Sequence, residues 1–153
     1  MGKGDMPPIG LPELVSQMRG SYEIFLQACE QLSKEQALIG GVCGEWSAKA
    51  VLDHLTGWQV RSLFILKQVL NVPDQAFNLD IDAFNNKSVQ DRQNLTWEES
   101  LSAFKLSFNA FDQALGDIQL DHYRTNQALI SWVKAMTHEY QFHLEHIQKA
   151  LAR

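Results

Sequence analysis

Apolar residues first fall into register at Leu14, then recur at Met18, Tyr22, Phe25, Cys29 and Leu32. The steps are four, four, three, four, three, which is the seam of an amphipathic helix. The next stretch, Ser33 to Glu45, holds Gly40, Gly41 and Gly44 and reads as a loop. Ser47 follows a Glu-Trp pair and is placed to cap a second helix. The inward stripe of that helix is Val51, His54/Leu55, Trp58, Ser62, Ile65/Leu66 and Val69, and it ends near Asn71 and Pro73. Val72 to Asn94 has the weakest pattern, with room for a short helix over Asp80 to Val89. Thr96-Trp97-Glu98-Glu99 is a capping box. It opens a third long helix, with Trp97, Leu101, Phe104, Phe108, Phe111 and Leu115 at heptad spacing, and Gly116 can end it. His122 falls in the following connection. A fourth helix starts between Thr125 and Leu129 and runs to about Leu151, with a stripe of Leu129, Val133, Met136, Tyr140, Leu144, Ile147 and Leu151.

No segment alternates with period two, so the prediction is all-α: four long amphipathic helices in a four-helix bundle. A crossover of roughly 25 residues joins helices two and three, long enough to pass over a bundle end. Residues 1–153 read as a single domain, long enough to bury a core unaided. Residues 1–12 form a loose lead-in marked by Pro7, Pro8, Gly10 and Pro12.

Composition narrows the function. Hydrophobic residues make up 45% and charged residues 20%, a globular balance. The formal net charge of -5, with no Lys/Arg run, argues against a nucleic-acid partner. No apolar run reaches about 18 residues, so no membrane partner is expected. The first residues carry no apolar signal core, and position 6 is Met where the myristoylation pattern needs Ser or Thr. The expected setting is the cytoplasm, with Cys29 and Cys43 as free thiols.

The chemistry-bearing residues gather on helices two and four. His54 stands three after Val51 and four before Trp58, facing inwards. Glu139, His143 and His146 are spaced by four and three, so they point within roughly 60 degrees of one another on the edge of the core stripe. His138 points about 100 degrees away, towards solvent. If helices two and four touch at this level, the groups converge as bundle metal ligands do. Imidazole and carboxylate suit Zn, Ni, Fe or Mn, and three ligands leave positions open for water or substrate. The competing account is a core histidine bonded to one acceptor beside a polar helix edge. Cys43 lies beside Glu45, whose charge raises a thiol pKa, so it is not favoured as a nucleophile. No G-x-S-x-G, phosphate-cradling loop, C-x-x-C or H-E-x-x-H is present. Trp46, Trp58 and Trp97 read as packing residues, and Trp58 can also wall a pocket beside His54.

Glu45-Trp46-Ser47, Val51-Leu52-Asp53-His54-Leu55 and Trp58 resemble the W-S-x-x-x-x-L-x-H-L-x-x-W signature of the DinB-like superfamily. Asp82-Ala83-Phe84-Asn85, Val89, Arg92 and the Thr96 capping box resemble its ClbS/DfsB branch. The likeness runs from about Leu14 to Leu151. It implies a four-helix bundle, commonly a homodimer, with a divalent metal held by a His on helix two and a His pair on the last helix. It also implies an enzyme that transfers a low-molecular-weight thiol to, or hydrolyses, an electrophilic small molecule in detoxification or stress. The alternative implied by the ClbS relatives is a metal-independent protein that binds a reactive compound and protects the cell. On this resemblance the metal ligands are His54, His143 and His146, with Glu139 as a fourth ligand or proton acceptor. One departure stands out: the family's last-helix pair is H-x-x-x-H, and counting back four from His146 reaches Phe142.

Overall fold

The computed structural model describes residues 10–71, 80–118 and 127–153. The lead-in as far as residue 9, the crossover segment 72–79 with Pro73, His122 and Thr125 lie outside the described residues, as does the side chain of Val69. Six helices are described: α1 (Leu11–Glu30), α2 (Lys34–Leu38), α3 (Ala48–Asn71), α4 (Ile81–Asp91), α5 (Trp97–Gly116) and α6 (Gln127–Leu151). There is no strand among the described residues.

Local chemistry accounts for the helix starts. Ser47 Oγ accepts from Ala50 N at 3.1 Å and caps α3. Asp80 accepts from Ala83 N and caps α4. At α5 the box is complete: Thr96 Oγ1 accepts from Glu99 N, and Glu99 accepts from Thr96 N, each at 3.1 Å. α2 corrects the expectation of an unbroken loop after Ser33. Ser33 and Gln36 form a second capping box, which nucleates one short turn of helix despite the glycines that follow. Gly116 is the last helical residue of α5, with Asp117 as its cap.

α1 packs on α6, and α3 packs on both α5 and α6. The predicted stripe of α1 is buried throughout. Its Tyr22 ring stacks on Phe108 of α5, with centroids 3.5 Å apart. On α5 the stripe is buried except for Leu101, which is half-buried. α6 differs in detail. Leu144 and Leu151 are half-buried, while the buried positions run Leu129, Val133, Met136, Tyr140, His143, Ile147 and Ala150. Those steps alternate four and three, so His143 occupies a core position of a heptad and not its edge.

α4 lies on α3. A side chain at Gly57 would collide with Oγ and Cβ of Ser88, so the close approach of the two helices requires glycine there. Trp58 Nε1 donates to Asn85 Oδ1 at 2.7 Å across the same contact. This contact places α4 beside the histidines of α3 and α6.

Candidate metal centre

His54 is carried by the second turn of α3, and Glu139 and His143 by successive turns of α6. The packing of α3 on α6 brings them together. Glu139 Oε2 lies 3.5 Å from His54 Nε2 and 3.3 Å from His143 Nε2. Both histidine side chains are nearly closed to solvent, at 4% and 5% exposure, whereas Glu139 is 35% exposed. One ligand atom from each of the three lies within 4.8 Å of the others. Charge-assisted N–H···O bonds run at about 2.7–2.9 Å, shorter than either contact. Two donors about 2.0–2.1 Å from one tetrahedral ion lie roughly 3.3 Å apart. The observed spacing therefore fits a cation between the groups better than direct pairing.

Electrostatics agree with that donor set. The neighbouring imidazoles of His143 and then His54 hold the Glu139 carboxyl down at about 2, against the upward push of burial. It is an anion at neutral pH. His146 is pushed below the usual histidine value by burial and by the neighbouring His143, which favours the neutral imidazole a metal needs. Nδ1 of His54 is buried with no hydrogen-bond partner among the described residues.

His146 does not join His54 in a common group. Its Nδ1 instead faces Nδ1 of His143 at 3.0 Å. The compact sets among the described residues are His54–Glu139–His143 and Cys43–His143–His146. The turn between helices one and two of the sequence reading brings in Cys43. Cys43 and Trp46 exchange backbone bonds, Trp46 N to Cys43 O at 2.9 Å and Cys43 N to Trp46 O at 3.4 Å. Gly44, at φ +56°, takes the first of the two central positions, where a side chain would be strained. Residues paired across such a turn project to the same face. Cys43 and Trp46 therefore both reach the centre. Burial and then Glu139 push the Cys43 thiol up, so the direction expected from Glu45 holds with another carboxylate as its electrostatic cause.

Above the three groups opens a cavity of about 500 Å³. Its walls are largely aromatic and aliphatic: Trp46, Trp58, Trp132, Met136, Ile81 and Phe142, with Asn85 as a further polar group. The Trp46 and His54 rings are 5.1 Å apart. Trp58 thus walls the pocket as well as packing, and Trp97 is a buried core residue. Phe142 is half exposed at the rim, with its ring about 5 Å from those of His143 and His146. It holds no ligand atom and covers the two histidines. His138 is exposed, as expected, and stacks on Phe142. Trp132, Met136, Ile81 and Asn85 carry no sequence signal of site membership, because each sits in an ordinary helical position.

No helix among the described residues is long and apolar enough to cross a membrane. Compared with protein-family models, with curated proteins and with solved structures, the chain matches none.

Proposed function

We propose that the protein is a divalent-metal-dependent enzyme acting on an apolar, electrophilic small molecule. In this proposal it is a DinB-like four-helix bundle of α1, α3, α5 and α6, with α4 in the crossover from α3 to α5. The carrying observation is that Glu139 Oε2 stands 3.5 and 3.3 Å from two buried imidazole nitrogens at the floor of an apolar cavity. His54, Glu139 and His143 would hold the ion, and their N/O donors suit Zn, Ni, Fe or Mn. When bound, such an ion supplies Lewis acidity and lowers the pKa of a water or a low-molecular-weight thiol.

The chain's own residues do the rest. Glu139 serves as a ligand, because it is an anion at neutral pH and its Oε2 faces both imidazole nitrogens. His146, at 3.0 Å from Nδ1 of His143, orients that ring from behind. The indoles of Trp46, Trp58 and Trp132 bind the apolar body of the substrate and exclude water. The proposal includes a two-fold homodimer in the cytoplasm. A mass by light scattering equal to one chain at micromolar concentration would remove the dimer.

The test is metal content of untagged protein. In protein carrying Cys43→Ser, which removes the sulfur donor of the Cys43–His143–His146 set, close to one equivalent is expected to bind; adding His54→Ala or Glu139→Gln should abolish it, while adding His138→Ala keeps it. Failure of the Cys43→Ser protein to bind Zn, Ni, Fe or Mn would overturn the enzyme reading. The second reading, a ClbS-type protein that sequesters a reactive apolar compound without metal, is favoured by the aromatic walls of the cavity. It predicts ligand binding that His54→Ala and chelators leave unchanged.

A further inference from the structure

His143 has two ring nitrogens, and only Nε2 faces Glu139. Its Nδ1 meets Nδ1 of His146 at 3.0 Å. Cys43 offers its sulfur to the same pair, with one ligand atom from each of the three residues within 4.8 Å of the others. These donors come from two pieces of structure that are tied together. The histidines are three apart on α6. The turn bearing Cys43 is fastened to the end of the same helix, where Lys149 Nζ donates to Gly41 O at 3.1 Å and Arg153 Nη1 donates to Gly40 O at 2.7 Å. The position of the sulfur relative to the two imidazoles is thus fixed by contacts that do not involve His54 or Glu139.

We propose that Cys43, His143 and His146 form a second divalent-metal position, selective for thiophilic ions, which shares His143 with the His54–Glu139–His143 set but does not depend on it. One sulfur and two nitrogens are donors for Zn and for softer or borderline ions, whereas the neighbouring set replaces sulfur with carboxylate. Binding releases the thiol proton to water and leaves a metal–thiolate bond; His143 gives its Nδ1 lone pair and keeps its proton on Nε2 beside Glu139, so this position and the His54–Glu139–His143 set are filled one at a time. The fit needs small movements. Two imidazole nitrogens on one tetrahedral ion stand roughly 3.3 Å apart, so the histidine pair opens by a few tenths of an ångström. With metal–sulfur at about 2.3 Å, sulfur and nitrogen stand roughly 3.6 Å apart, within reach of the present cluster. A hydrogen bond between the two imidazoles accounts for their own contact but not for the sulfur beside them.

Cobalt(II) is the probe, because thiolate ligation gives an intense near-ultraviolet charge-transfer band that N/O ligation lacks. The full-length protein titrated with cobalt is expected to develop the band. Cys43→Ser and His146→Ala are expected to abolish it, while Glu139→Gln and His54→Ala retain it. Cys29 is not a competing source, since it is fully enclosed in the face of α1 that meets the core. Cobalt binding without the band, or a band that survives Cys43→Ser, would overturn this second position and leave the His54–Glu139–His143 reading standing. Absence of any cobalt binding would overturn both.

Discussion

The hydroxyl of Tyr140 donates to Oε1 of Gln59 at 2.7 Å, joining α6 to α3 where both residues are completely buried. Gln59 passes the connection on. Its Nε2 donates to Phe104 O at 2.8 Å and to Ser107 Oγ at 2.7 Å on α5. Three helices are thereby held in one register by a polar group whose bonds are all made. Tyr140→Phe would leave Oε1 of Gln59 unpaired in the core. It is expected to cost about 1–3 kcal/mol in urea denaturation. Gln59→Leu combined with Tyr140→Phe should recover part of that loss, because the buried amide oxygen is gone, Phe104 O still accepts from Ser107 Oγ, and Ser107 is only half-buried.

Phe108 is stacked on Tyr22 with an interplanar angle of 4° and is 3% exposed. Phe108→Ala removes the ring and leaves a cavity between α1 and α5. The expected loss is about 3–5 kcal/mol. A loss below about 1 kcal/mol would mean that this face is not part of the core.

Gly57→Ala raises helix propensity by about 1 kcal/mol, yet the new methyl collides with Ser88. The collision should dominate, with a net destabilisation of about 1–3 kcal/mol. Introduced alongside Ser88→Gly, the same substitution should become neutral or stabilising. Additive effects in that double-mutant cycle would count against steric contact as the cause.

Glu139 gives a pH signature. Its folded-state pKa is depressed to about 2, below the ordinary value of about 4.3. The unfolded chain therefore takes up the proton first as pH falls. The carboxylate's stabilisation is complete above about pH 4.3 and lost progressively towards pH 2. Glu139→Gln should be less stable than wild type at pH 7, and the two should converge near pH 2. Screening of a side chain 35% exposed limits the difference to about 1 kcal/mol. A constant gap across this range would show that the histidines do not hold the charge.

The chain announces some of this plainly. The heptads of α1 and α5, the caps at Ser47 and Thr96, and the inward placement of His54 follow from period and from hydrogen-bonding chemistry. α6 is harder to read because His143 and Leu144 are adjacent, and either can complete a four-three repeat. Hydrophobicity favours Leu144, but the packing against α3 turns His143 inwards to 4% exposure. Cys43 is silent for a different reason. Its place beside His143 depends on a two-residue turn and on the Lys149 and Arg153 contacts more than 100 residues later in the chain. No periodicity encodes such a pairing. The role of Gln59 is hidden in the same way, since a polar residue at a core position declares itself only when its partners are known.

Gly57 lets α4 sit so close to α3 that Ile81 and Asn85 reach the cavity. Yet α4 leans chiefly on α3, and Ile81 itself is 58% exposed. The opposite wall is different, because Met136 and His143 lie in the heptad that also packs against α1 and α3. One side of the chamber is thus answerable to the whole fold and the other to a single neighbour. Sequence drift at Ile81 can redraw the outline of the chamber while the imidazoles beneath keep their places, so its shape is free to evolve faster than its floor.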